Sequence, residues 1–326
     1  MISATARVKL WCAAGAALLA ALAAVSLSTG KYPVTLAGLA AGEEMQLRVF
    51  WTLRAGRTAV AAAGGFALGA AGFVYQTVFR NPLASPDVIG VSSGASAGAA
   101  AGILFCSGAA AVTAASFAGA LAAVGLSLAL SALDRSGRHS TIVLAGIAVH
   151  SLAQTALMCL KLTADPEREL ASIEYWIMGS LNGITGYGIG GNLALCALCV
   201  GVLFLLHRQI ILLSAEEGEA RMLGVEVGRL RLAVLLAATL AVACVVSLSG
   251  LISFVGLLAP HGARLLTRRS GPGTMLLGGL LGGILLTGAD ILARSAAAVE
   301  LPVSIFTSLL GAPFLIFLIV KGRRDP

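Results

Sequence analysis

The stretch that decides the fold is residues 79–98, which read FRNPLASPDVIGVSSGASAG. It is polar, it is broken by Pro82 and Pro86, and it lies between two long apolar stretches without charged residues. In a lipid bilayer, such a break is tolerated only where the freed backbone is buried in protein or lines a water-filled cavity. The stretch therefore predicts a membrane protein with a hinge inside a translocation pathway.

The composition of the whole chain agrees with a membrane protein. Of its 326 residues, 58% are hydrophobic and 11% are charged, and the mean hydropathy is +0.94, whereas soluble domains are about 25% charged. The net charge of +7 is not arranged as a basic run interleaved with aromatic residues, so we expect no nucleic-acid partner. The 40 glycines, many of them four residues apart, predict close packing of helices within one subunit.

Apolar stretches of membrane-spanning length recur along the chain. A spanning helix needs about 20 mostly apolar residues, so we predict an all-α, polytopic fold with one transmembrane domain over residues 1–326. The predicted spans number about ten: 10–28, 58–78, 91–107, 109–133, 141–160, 189–206, 232–250, 252–266, 274–297 and 302–320. Ser92 and Ser93 are predicted to cap the third span. The first span could instead belong to a signal peptide.

The distribution of Lys and Arg predicts the orientation of these spans. Fifteen of the 22 positive residues fall on the side that holds the N-terminus, and the positive-inside rule places that side in the cytoplasm. Ten spans return the C-terminus to the same side, where Lys321, Arg323 and Arg324 agree with the rule. We therefore expect both termini to be cytoplasmic.

Ionisable residues are scarce within the predicted spans. Asp290 and Arg294 are four residues apart, a spacing that suits an ion pair on one helix face. His150 either packs inside the protein or faces a pathway. An ion-coupled secondary carrier usually keeps more ionisable groups in the bilayer, so that class of transporter is a distant alternative.

The sequence carries no metalloprotease motif and no ATPase motif. It contains no His-Glu-x-x-His and no Gly-x-x-x-x-Gly-Lys-Ser/Thr phosphate loop. We therefore expect no enzymatic activity, no catalytic residue, no cofactor and no metal site in this chain. Cys196 and Cys199 lie in an apolar helical stretch without a second ligand pair, which favours buried thiols.

If transport consumes energy, a partner must supply it, and the loop 208–231 could receive it. Its centre, 214–226, has the composition of a short amphipathic helix, with Ser214 as a cap and Gly224 as a terminator. Such a helix is either an ordinary surface helix or a docking site between spans six and seven. The candidate coupling residues are Glu216, Glu219, Ala220, Arg221, Leu223 and Gly224.

A set of motifs, taken together and in this order, resembles the FecCD-type permease subunits of ABC importers for iron–siderophore complexes, haem and vitamin B12. The resemblance covers nearly the whole chain from about residue 46 onward. Its pieces are LRAGR (53–57), QTVFRNPLASP (76–86) continuing to residue 98, LAGIA (144–148), YWIMGSL (175–181), ARMLGV (220–225), GLISFVGLLAPHGAR (250–264), ADILAR (289–294), and ELP (300–302) through LLGAP (309–313).

This resemblance implies a machine of several subunits in the bacterial cytoplasmic (inner) membrane. It implies a second permease copy or paralogue, two cytoplasmic ATP-binding subunits and an extracytoplasmic substrate-binding protein, with membrane lipid around the spans. Residues 1–326 would then form a single permease domain, with 208–231 as its cytoplasmic coupling loop. The expected cargo is an iron chelate, above all an iron(III)-siderophore, with haem or vitamin B12 as alternatives.

The resemblance also assigns three outer arginines. Arg54, Arg57 and Arg294 match family positions that pair with glutamates of the binding protein. Charges of this kind steer docking and set its register more than they add affinity. Arg54 and Arg57 could instead be ordinary interfacial arginines, and the pair with Asp290 competes for Arg294.

At the other end of the pathway, Asn81 and Leu83 match residues of an inner gate. Asn81-Pro82 cannot comfortably continue a helix, so Leu83 could plug a narrow aqueous path while Asn81 holds the freed backbone. Ser140 and Thr141 match a second constriction. A purely structural break remains open for the first pair, and an N-cap of span five is equally open for the second.

Overall fold

Helices make up nearly all of the chain that the computed structural model describes, which is residues 4–133, 139–186, 188–214, 222, 226–297 and 299–322. No strand occurs in these residues. In chain order the helices are α1 (Ala4–Ser28), α2 (Leu36–Ala40), α3 (Glu44–Val78), α4 (Val91–Phe105), α5 (Ala109–Leu133), α6 (His139–Thr163), α7 (Glu169–Ile177), α8 (Gly190–Leu205), α9 (His207–Leu212), α10 (Val227–Ser249), α11 (Val255–Thr267), α12 (Pro272–Ser295) and α13 (Val303–Gly322).

The predicted all-α, polytopic fold is confirmed. Six of the described helices, namely α1, α3, α5, α6, α10 and α12, are long and apolar enough to cross a membrane. A helix also lies in each of the other predicted spans, where α4, α8 and α13 are apolar but have shorter apolar stretches and α11 has 13 residues. The number of crossings and the side of the termini stay predictions.

The helix that contains the second predicted span extends well before it. The helix α3 begins at Glu44 and runs for 35 residues, with π-helical turns over Phe50–Ala55 and Val60–Gly64. The charges of Arg54 and Arg57 do not end the helix, because both side chains are buried and bonded to distant parts of the chain.

The prediction that serines cap the third span was wrong. Gly90, in the left-handed region with φ 83°, occupies the position before α4 and no side chain caps the helix. The Ser93 hydroxyl donates to the Gly90 carbonyl, and the Ser92 hydroxyl donates to the Asp87 carboxylate in the preceding 3-10 turn Pro86–Ile89. Both hydroxyls therefore bond to acceptors in the preceding turn, and neither accepts from a free backbone amide in the first turn of α4.

Small residues bring the central helices into backbone contact, as predicted. A Cβ added at Gly65 or Gly69 of α3 would overlap the carbonyl of Gly282 or Gly278 of α12. The helix α11 packs against both α3 and α12, and α10 packs against α3 and α8. In lipid, such close approach stabilises helix pairs through van der Waals contact. The packed centre of the subunit is thus α3, surrounded by α10, α11 and α12.

Candidate functional site

The break after α3 is an ordered connection whose polar groups are satisfied locally. We call residues 79–85 the gate segment. Arg80 lies in the left-handed region with φ 49°, and the Asn81 amide donates to the Gln76 carbonyl. The Asn81 side-chain oxygen accepts from the Leu83 amide at 2.9 Å. Asn81 therefore holds the freed backbone, as predicted from its place before a proline.

Leu83 is the apolar side chain that this segment presents to its surroundings. Its residue surface is 54% exposed, although leucine normally seeks burial. An exposed leucine held by its own backbone bonds is suited to closing a narrow passage. Its role as a gate residue stays a prediction.

A cavity of about 240 Å³ opens beside the gate segment. Its polar lining residues are Ser85, Asp87, Ser92 and Ser253, and apolar side chains of α3, α10 and α11 complete the wall. Hydroxyl and carboxylate groups on an apolar wall are compatible with a wet passage. The proline-broken stretch thus lines a cavity, which is the condition under which a bilayer tolerates it.

The helix α6 lies against the same 3-10 turn. A Cβ at Gly146 would overlap the Val88 carbonyl, so the two backbones are in direct contact. One turn further along, His150 is exposed on the surface of this subunit. His150 therefore does not pack inside the subunit, and the alternative that it faces a pathway stays a prediction.

The predicted second constriction lies in the first turn of α6. Thr141 is half-buried there, and the Ser140 side chain is outside the described part of the chain. Their role as a constriction stays a prediction.

Sequence reasoning missed the contacts that α11 makes with the end of α3. Arg264 donates to the Gln76 side-chain oxygen, to the Thr77 hydroxyl at 3.0 Å and to the Phe73 carbonyl at 3.3 Å. The guanidinium carbon also lies 4.6 Å from the centre of the Phe73 ring. The available signal was a charged residue inside a predicted span, four residues after Pro260.

At the opposite end of α3, four residues form what we call the outer ion-pair network. Asp290 is fully buried and pairs with Arg57 at 2.8 Å and with Arg294 at 3.0 Å. Arg57 also pairs with Glu300 at 2.7 Å. The expected intrahelical pair of Asp290 and Arg294 is confirmed, and the network joins α3, α12 and the segment before α13.

The remaining outer arginine is also held within the chain. Arg54 is 4% exposed and donates to the carbonyls of Leu27, Ser28 and Tyr32. Arg294 likewise donates to the Ser26 hydroxyl of α1 at 2.7 Å. All three predicted docking arginines therefore have internal partners, and their role in docking stays a prediction.

The coupling residues predicted between spans six and seven, Glu216, Glu219, Ala220, Arg221, Leu223 and Gly224, lie outside the described residues. The structure describes the start of that loop. The helix α9 packs against α3 and α10, with Ile210 and Leu213 buried. The Leu213 carbonyl accepts from Arg80 of the gate segment at 3.4 Å. The coupling loop and the gate segment are thus in contact, which the sequence did not indicate.

The described residues offer no cluster of three His, Cys, Asp or Glu side chains that could hold a metal ion. Cys196 and Cys199 are buried in the contact of α8 with α10, as predicted for structural thiols.

Comparisons with known proteins identify relatives over most of the length. A family model described as the FecCD transport family matches residues 18–321. The cobalamin import system permease protein BtuC of Halobacterium salinarum is 37% identical over 269 residues, 82% of this chain and 72% of that protein. The molybdate import system permease protein MolB of Haemophilus influenzae is 30% identical over 94% of each chain. The "Probable siderophore transport system permease protein YfhA" of Bacillus subtilis is 33% identical over 87% of this chain and 85% of its own.

A solved structure has the same arrangement of helices. The structure described as "An inward-facing conformation of a putative metal-chelate type ABC transporter" superposes with a TM-score of 0.85 at 30% identity, over 95% of this chain and 98% of that one.

Proposed function

Because this chain belongs to the FecCD transport family, as the permease subunit of an ABC importer, we propose that its cargo is an iron chelate, above all an iron(III)-siderophore complex. The support comes from the named siderophore permease among the relatives and from the metal-chelate-type transporter of matching fold. The cobalamin and molybdate permeases at comparable identity define the competing cargoes. Haem remains a further alternative of the same machine.

The multi-pass location in the cytoplasmic membrane, expected from the sequence, is confirmed by these relatives and by the apolar helices. Within the membrane, we propose that the chelate passes along the cavity that Ser85, Asp87, Ser92 and Ser253 line. Leu83 closes the passage at the cytoplasmic end, Asn81 holds the gate segment in shape, and Ser140 with Thr141 forms a second constriction. The chain performs no bond chemistry in this scheme.

The proposed assembly contains a second permease copy or paralogue, two ATP-binding subunits and a substrate-binding protein. The ATP-binding subunits dock on the coupling loop 208–231. Arg54, Arg57 and Arg294 receive the binding protein at the other face. Because Asp290 and Glu300 already pair with Arg57 and Arg294, the carboxylates of a docking protein compete with these internal partners.

The observation that carries the transport role is the polar, proline-broken gate segment beside a cavity in an otherwise apolar bundle. The test is uptake by proteoliposomes that contain the permease with its ATP-binding and substrate-binding subunits. We expect ATP-dependent uptake of a radiolabelled iron(III)-siderophore, and no uptake with an ATPase-inactive partner.

Uptake of labelled cobalamin, haem and molybdate is measured in the same vesicles. Selective uptake of one of these, with no uptake of the iron chelate, would overturn the proposed cargo. Accumulation that continues unchanged with the inactive ATPase would instead indicate a secondary carrier.

A further inference from the structure

The gate segment is held between two helices that approach it from different sides. On one side, Arg80 donates to the Leu213 carbonyl at the end of α9, the helix with which the coupling loop begins. Ile210 and Leu213 are buried, so α9 is seated firmly against its neighbours. A displacement of α9 would therefore move the Leu213 carbonyl to which Arg80 is bonded.

On the other side, Arg264 of α11 fixes the last turn of α3. Its bonds go to the side chains of Gln76 and Thr77 and to the Phe73 carbonyl, which are all neutral acceptors. A planar guanidinium with five donors fixes the orientation of such a group of acceptors more strictly than an ammonium does. These bonds fix the orientation of the last turn of α3 relative to α11. They do not neutralise the positive charge of Arg264, because none of the three acceptors is charged.

Gln76 makes this contact reciprocal. Its amide oxygen accepts from Arg264, and its amide nitrogen donates to the Leu257 carbonyl at 3.0 Å. Its backbone carbonyl accepts from the Asn81 amide at 3.2 Å. One residue therefore joins two turns of α11 to the start of the gate segment, and its loss would leave buried polar groups without partners.

His261 provides a second contact of α11, one turn before Arg264. Its ring packs edge to face on Phe314 of α13, with ring centres 5.8 Å apart. The ring nitrogen Nδ1 is buried and has no hydrogen-bond partner in the part of the chain that the structure describes. His261 thus joins α11 to α13.

We propose that Arg264 and His261 are positioning residues that make α11 the fixed support of the gate. With α11 bonded to α3 through Arg264 and packed on α13 through His261, motion of α9 turns the gate segment through Arg80 instead of carrying the end of α3 along with it. This inference rests on the proposed function, since the driving motion comes from the ATP-binding subunits. Its consequence is that loosening either contact separates ATP hydrolysis from transport.

The test compares Arg264→Gln, Arg264→Lys and His261→Ala in the assembled transporter, with Arg7→Gln as the control. Arg7 is an exposed arginine in the first turns of α1, to which no role is assigned. Two quantities are measured: substrate taken up per ATP hydrolysed, and nucleotide-dependent thiol labelling of Ser85→Cys in a background without the native cysteines. Ser85 lines the cavity beside the gate.

We expect uptake per ATP to fall by about tenfold in Arg264→Gln while ATP hydrolysis persists, since losing a charge-assisted hydrogen bond changes an equilibrium by roughly that factor. Uptake per ATP should also fall in His261→Ala, which loses the ring contact with Phe314. The change of Ser85→Cys labelling with nucleotide should disappear in both. Uptake per ATP in Arg264→Lys should lie between the value for Arg264→Gln and the wild-type value, because an ammonium cannot bond to all of the same acceptors. The double variant Arg264→Gln with Gln76→Arg exchanges donor and acceptor and should restore part of the coupling.

Wild-type coupling and labelling in both Arg264→Gln and His261→Ala would overturn the inference. So would a double variant that recovers assembly but not coupling, because that result indicates a packing role alone. If Arg264 variants do not assemble, His261→Ala and His261→Gln decide by the same two readouts. Absence of ATP-dependent uptake in the wild-type complex would count against the proposed function and is thus distinguishable from these outcomes.

Discussion

Asp290 is the residue on which the outer end of the subunit depends. It is fully buried and holds both Arg57 and Arg294. Taking ions out of water is costly, and a buried network is stable only while each charge keeps its partner. Removal of Asp290 therefore takes a carboxylate partner from two buried arginines, whereas removal of one member of a surface pair leaves a charge in water.

We predict that Asp290→Ala lowers the stability of the subunit by about 3–5 kcal/mol, because two buried guanidinium groups lose a carboxylate. The matched control is Arg229→Ala. It removes an exposed pair with Glu226, whose two side chains are 86% and 70% exposed, and should cost at most about 1 kcal/mol.

Both variants are compared by thermal denaturation of the purified protein in detergent. A midpoint for Asp290→Ala that equals the midpoint for Arg229→Ala would contradict a supporting role of the network.

At the scale of helices, the crossing of α3 with α12 carries the core. A Cβ on Gly282 would overlap the carbonyl of Gly65. The close approach of α3 and α12 therefore depends on the absence of a side chain at Gly282. A Cβ on Gly125 of α5 would meet no atom beyond its own helix within 4 Å. The two glycines therefore have the same helix propensity, but only Gly282 lies in a close helix contact.

We predict that Gly282→Ala destabilises the subunit and reduces the yield of monodisperse protein, since α3 and α12 must move apart. Gly125→Ala should be neutral or slightly stabilising, because alanine is the better helix former by up to about 1 kcal/mol. The unfolding midpoints of the two variants give the answer. An equal response of both would show that the crossing tolerates a methyl group.

The helices also show which features a sequence can predict. Local hydropathy predicted the helical fold and a helix in each expected span, and the Asn81-Pro82 step predicted a break at which Asn81 holds the freed backbone. The burial of Arg57 within α3 was not foreseen because its partner Asp290 is 233 residues away. The contact of Arg264 with Gln76 was missed because those residues are 188 positions apart. Periodicity and spacing report neighbours along a helix, and they carry no signal for such distant pairs.

At the scale of the whole molecule, the coupling loop is the predicted docking site for the ATP-binding subunits. We predict that a cysteine at Glu219 forms a cross-link to an ATP-binding subunit, because the loop begins at α9, which touches the gate segment. The control is Glu167→Cys, an exposed position between α6 and α7 on the predicted outer side. Cross-linking is read on gels in a background without the native cysteines.

Failure of Glu219→Cys and of its neighbours, with normal ATP-driven uptake, would remove this loop from the docking surface. Cross-linking of Glu167→Cys instead would reverse the predicted orientation of the subunit.

The length of α3 has a consequence for the outer surface. A helix of 35 residues measures about 52 Å, whereas the hydrocarbon layer is about 30 Å thick. Measured from Val78 along a helix normal to the membrane, a layer of that thickness ends near Arg57, so the residues of α3 before Arg57 lie in the headgroup zone and the water beyond on the predicted outer side. They are packed there against their own chain, since Arg54 is bonded to the end of α1 and the Gly186 amide donates to the Thr52 carbonyl. On that side, a soluble protein would meet this packed segment before it meets the bilayer.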